Sequence, residues 1–134
     1  MKYALKDFNL DLKEKIASNE KALKDLIEKL SIEHEPFFSR KGMKLEAEFD
    51  RQGNDPFIPG YSSSISIAIS DENGELTDLH IINIWECGRY FLGMPTSKNI
   101  PGSKIAGELL DDTFDEIQSE LKEYIEEQLT ESDE

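Results

Sequence analysis

Ser64-Ile65-Ser66-Ile67-Ala68-Ile69-Ser70-Asp71-Glu72-Asn73-Gly74-Glu75, then Leu79-His80-Ile81-Ile82-Asn83-Ile84-Trp85-Glu86, is the stretch that decides the fold. Ile65, Ile67 and Ile69 alternate with Ser64, Ser66, Ala68 and Ser70. A period of two places them on one face of a half-buried strand. Residues 71–75 supply a turn, and Asn73-Gly74 suits the type I′ geometry of a tight hairpin. The returning strand, near residues 79–86, is apolar on both faces. His80, Ile82 and Ile84 share one face, and Leu79, Ile81 and Trp85 share the other.

The pattern extends in both directions. Upstream, Met43, Leu45, Ala47 and Phe49 alternate with Lys44, Glu46, Glu48 and Asp50, which predicts another strand over 43–50. Residues 51–60 hold two prolines and two glycines and read as a loop. Before them, Leu12, Ile16, Leu23, Ile27 and Leu30, with Leu26 beside, form a helical stripe. Asn19 interrupts it, so one helix or two joined near Ser18-Asn19 fit equally. The helix face opposite is paired, Asp11 with Lys15, Glu20 with Lys24 and Asp25 with Lys29. Pro36 is read as ending this region. Downstream, Cys87-Gly88 reads as a turn, residues 89–92 as a short fourth strand and residues 93–103 as a loop. Ile105, Leu109 and Leu110 suit a short helix or a last edge strand. Thr113 and Glu116 match a capping box, and Phe114, Ile117, Leu121, Tyr124, Ile125 and Leu129 supply the apolar face of the helix that follows. Residues 130–134 are expected to be a frayed acidic tail.

The expected fold is one α+β domain over residues 1–134. It is a two-layer sandwich, with an antiparallel sheet of three to five strands in a meander. The N-terminal and C-terminal helices pack on one face. Alternation leaves the face of the returning strand that meets solvent undecided between its two apolar sets.

Charge narrows the function classes. The chain carries 29 acids against 15 bases, a net charge of −14. Nonspecific nucleic-acid binding runs on cation–phosphate contacts, which this balance opposes. The excess is uneven: residues 1–44 hold ten bases and eight acids, and residues 45–134 hold five bases and 21 acids. Asp112 with Glu116, Glu116 with Glu120 and Glu123 with Glu127 are like charges one helical turn apart, an arrangement that destabilises a helix. No apolar run reaches the roughly 18–20 residues of a membrane span. Residues 1–7 contain no apolar signal core. Cys87 has no cysteine to pair with. These features lead to the expectation of a cytoplasmic chain without a membrane or nucleic-acid partner.

Reactive groups in converging patterns are few. His34 lies between Glu33 and Glu35, and alternate positions rarely converge on a metal. Cys87 and His80 are seven residues apart in a strand, on opposite faces, which separates a thiol from a base. Asp71, Asn73 and Glu75 alternate like calcium ligands, but the glycine falls at the fourth position, not the sixth. No phosphate loop, dinucleotide fingerprint or nucleophile elbow is present. No catalytic residue, metal or cofactor is therefore expected.

The leading expectation is a small acidic binding protein that neutralises a basic protein partner. Its most concrete form is a bacterial immunity protein or antitoxin that blocks a cationic toxin domain such as a nuclease. Glu46, Glu48, Asp71, Glu72, Glu75, Asp78 and Glu86 are the expected acidic contacts, with Trp85 and Tyr90 as aromatic anchors. One alternative is a secretion-type chaperone for a partly unfolded effector, for which a homodimer is the natural state. The other is an enzyme with Glu86, Arg89 and His80 at its site.

Overall fold

The computed structural model describes residues 1–131. The elements are β1 (Lys2–Ala4), a single 3-10 turn (Leu5–Asp7), α1 (Leu10–Ser39), β2 (Lys44–Gln52), β3 (Ser62–Ser70), β4 (Leu76–Phe91), β5 (Met94–Pro95), β6 (Lys104–Leu109) and α2 (Phe114–Glu131). The strands form an antiparallel sheet in the order β1-β6-β4-β3-β2, with β5 paired to β4. Both helices bury apolar faces against it, so the chain is α+β as its patterning predicts. Among the described residues no helix is long and apolar enough to cross a membrane.

Backbone contacts gather into two compact units. The first comprises Met1–Lys21, Asp50–Ser64 and Asn83–Asp111. Its core is built on Trp85, which is fully buried. The rings of Tyr3, Phe8 and Phe57 surround the indole at centroid distances of 6.1, 5.8 and 6.4 Å. Its N–H donates to the Pro56 carbonyl at 2.7 Å, which satisfies the one polar group the ring buries. Gly107 lies beneath the ring; a Cβ there would stand 2.1 Å from Cη2. Leu12 and Ile16 of α1 are also buried, as is Tyr61, whose hydroxyl donates to Glu20 at 2.6 Å.

The second unit comprises Ala22–Phe49, Ile65–Ile82 and Asp112–Glu134, of which residues up to 131 are described. Leu23, Leu26, Ile27 and Leu30 of α1, Ile65, Ile67 and Ile69 of β3, and Ile117, Leu121 and Ile125 of α2 are all buried. The capping box forms as predicted: Thr113 Oγ1 accepts from the Glu116 N–H at 3.2 Å, and the Thr113 N–H reaches back to Glu116 Oε1 at 3.4 Å.

Several local expectations are corrected. α1 is one helix, and it runs through Pro36 to Ser39. Proline has no N–H, so the helix loses one bond near its end. The Pro36 carbonyl still accepts from the Arg40 N–H, and Phe38 is completely buried. The turn at 71–75 is not type I′, because Gly74 has positive φ and Asn73 does not. Asp71 Oδ1 instead accepts from the N–H groups of Asn73 and Glu75, giving a three-residue loop closed by a side chain. The tight hairpin with both central residues at positive φ is Leu92-Gly93, joining β4 to β5.

Cys87-Gly88 is not a turn either, since β4 runs through it to Phe91. Residues 104–109 form a strand, but an inner one, between β4 and β1. Helix α2 includes Thr130 and Glu131, so those two are not tail; the rest of the expected tail, 132–134, lies outside the described residues. The undecided parity of β4 also has an unforeseen answer. Leu79 and Ile81 are exposed, whereas Ile84 and Trp85 are consecutive and both buried. Alternation breaks between them, so neither predicted set describes the whole strand.

Candidate binding groove

The first unit has an open strand surface opposite the Trp85 core. In the antiparallel ladders Lys2 pairs with Glu108 and Glu108 with Glu86. The next same-side row is Ala4, Ala106 and Gly88, and the third is Lys104 with Tyr90. Paired residues project to the same side and alternate with their neighbours along the strand. Tyr3, Gly107 and Cys87 therefore point to the Trp85 side, and these three rows point away from it.

Small side chains in the middle row make the surface concave. Tyr90 folds back over Gly88, so closely that a Cβ at Gly88 would lie 3.1 Å from the tyrosine oxygen. The result is a groove of about 620 Å³, lined by Lys2, Glu86, Glu108, Tyr90, Lys104 and Leu92 among others. Its rim is the Leu92-Gly93 hairpin, where Leu92 (87% exposed, φ 52°) and Met94 stand out into solvent. A leucine in the left-handed region is uncommon and stores strain.

Glu86 lies directly opposite Glu108 at one end of this groove. Like charges facing each other across a ladder destabilise it. Among the described residues neither carboxylate is in an ion pair.

The residues singled out from sequence are dispersed over both units. Glu86 and Tyr90 come together in the groove. Trp85 is no anchor: it is fully buried, and its ring is the centre of a core. In the second unit Glu46 is exposed and pairs with Lys44 at 2.9 Å, and Glu48 is exposed. That pairing raises the Lys44 ammonium pKa. Asp71 is engaged in its turn, while Glu72 and Glu75 are exposed. Asp78 accepts from the Tyr124 hydroxyl at 2.8 Å. Burial first, then this bond, pushes the Tyr124 pKa above the ordinary phenol value; burial and Glu20 do the same to Tyr61.

The enzymatic set does not assemble as drawn from sequence. Glu86 and Arg89 are three residues apart in one strand and project to opposite sides. Arg89 donates to Asn99 at 3.2 Å and Ser103 at 3.3 Å. His80, in the second unit, contacts Glu120 at 3.0 Å and stacks on Tyr124. Burial raises the Cys87 thiol pKa to about 11, with Asp55 adding to the shift, so this thiol is a poor nucleophile. Among the described residues no group of three His, Cys, Asp or Glu is placed to hold a metal ion.

Sequence reasoning missed Lys2, Lys104, Ala106, Glu108 and Leu92. The signal was present in Lys104-Ile105-Ala106-Gly107-Glu108-Leu109, a period-two run, but Ile105, Leu109 and Leu110 also fit a helical spacing. Compared with family models, curated proteins and solved structures, the chain matches none. The groove's charge and shape must carry the functional reading.

Proposed function

We propose that this chain is an acidic binding protein that neutralises a basic protein partner, most concretely a bacterial immunity protein or antitoxin that blocks a cationic toxin. The observation that carries this reading is Glu86 facing Glu108 beside the apolar floor and Tyr90 of the groove. The facing pair costs the ladder some stability. A lysine or arginine side chain entering between the carboxylates reverses that cost, and its stem finds the Tyr90 ring and the small residues. A net charge of −14 adds long-range steering toward such a partner.

The test is capture from lysate of the source cells by the tagged wild-type chain and by Glu86→Lys/Glu108→Lys, in low and high salt. The expected result is one basic protein held stoichiometrically by the wild type, weakened by salt and lost with the double variant. Added wild-type chain should also abolish that protein's own activity. Equal capture by both chains, or capture without inhibition, overturns the reading.

A further inference from the structure

The second unit carries a different surface, the outer edge of its sheet. Its strands run β4-β3-β2, which makes residues 76–82 of β4 an outer strand. The β6 ladder begins only at Trp85. Among the described residues no strand pairs with the outer side of 76–82. Proteins usually guard such an edge with lysine, proline or a bulge, because its free N–H and C=O groups are a template for another chain. Residues 76–82 read Leu-Thr-Asp-Leu-His-Ile-Ile, with no lysine, arginine or proline. Leu76, Leu79 and Ile81 are 58, 44 and 55% exposed.

Helix α2 says what the occupant is. It reaches β4 through Glu120 on His80 and Tyr124 on Asp78. Helical periodicity puts Glu116, Glu123 and Glu127 on the same side as Glu120, while Lys122, the helix's lone base, points away. All four glutamates are exposed. An acidic ridge therefore flanks one side of an apolar edge strand.

We propose that residues 76–82 accept an extended basic segment of a partner protein as an added strand. Its backbone bonds to the free edge of β4. Alternate side chains are apolar, lying beside Leu79 and Ile81, and basic, facing the α2 glutamates. A second copy of this chain is the poorer occupant, because it sets one acidic ridge against another. The proposal shares the groove's preference for bases but uses another surface, so each has its own variants.

The probe is an end-blocked octapeptide alternating lysine and valine. The comparison is four lysines followed by four valines, which has the same charge and composition. The full chain is titrated with each in low salt, and amide hydrogen exchange is measured in the complexes. The alternating peptide is expected to bind more tightly and to slow exchange within 76–82. Leu79→Lys/Ile81→Lys, at two exposed positions, should weaken it about tenfold by charge repulsion and lost apolar contact. Should that variant fail to fold, Glu116→Gln/Glu123→Gln keeps the test and should weaken binding about threefold. Protection at 76–82, which belongs to the second unit, is read separately from any at the groove. Equal affinity for the block peptide, protection only outside 76–82, no binding at millimolar peptide, or a dimer protected at 76–82 without peptide each overturns the proposal.

Discussion

Gly107→Ala puts one methyl group into the tightest contact of the first unit. The added Cβ would stand 2.1 Å from Cη2, 2.3 Å from Cζ2 and 2.9 Å from Cζ3 of Trp85. Carbon atoms pack at about 3.5–4.0 Å, so the ring or the strand must yield by roughly 1.4 Å or more. The ring has nowhere to go, since Tyr3, Phe8 and Phe57 surround it. A shift of that size also breaks the 2.7 Å bond to the Pro56 carbonyl. Overpacking of this kind costs about 1–3 kcal/mol, and an orphaned buried donor about 1–3 more. The expected loss is about 2–6 kcal/mol out of a typical 5–15. With a urea m-value of about 2 kcal/mol/M, the midpoint falls by about 1–3 M. Trp85 is the chain's single tryptophan, so its fluorescence follows the transition directly. Gly93→Ala is the comparison: φ there is +80° with open space around it, so it isolates backbone strain at about 1–2 kcal/mol. A Gly107→Ala midpoint within about 0.3 M of wild type, with native emission unchanged, would refute the packing argument.

Two further outcomes follow from the titrating groups. Tyr61 and Tyr124 have folded pKa values raised above the ordinary phenol value of about 10, so both contribute stability that is fully present below pH 10 and is lost as pH rises above it. Urea midpoints measured from pH 8 to 11 should fall at the alkaline end, and Tyr61→Phe with Tyr124→Phe should flatten that fall; an equally steep fall in the double variant would exclude them as its cause. Cys87, buried and with its pKa pushed up to about 11, should react with a disulfide reagent at pH 8 only as fast as the chain opens, and at once in urea. Rapid labelling of the native chain would contradict the burial.

What was legible in the sequence was whatever rests on local periodicity. Ile65, Ile67 and Ile69 announced a buried strand face, Leu12 to Leu30 a helix stripe, and Thr113 with Glu116 the start of α2, and each is found there. What failed depends on partners far along the chain. Gly88 looks like a turn until Tyr90 is seen lying over it, and Pro36 looks like a stop until the burial of Phe38 is counted. β1 has only three residues, too few for a period, and its identity comes wholly from β6. Glu86 and Tyr90 are both expected contacts, but the groove they share is completed by Glu108 and Lys104, whose register no local pattern announces. Trp85 reads as a partner anchor in the sequence because an aromatic beside Cys87-Gly88 gives no sign of the rings that enclose it.

The pairing of Lys2 with Glu108 also sets an order of events. Residues 2–4 lie far along the chain from residues 106–108, their partners in the ladder. Closing a loop of that length is entropically slow, and β6 must itself first find β4. Until then Tyr3 has no Trp85 to pack on, and one side of the indole stays wet. Refolding watched through Trp85 fluorescence should end in a slow phase that disappears when residues 2–4 can no longer pair.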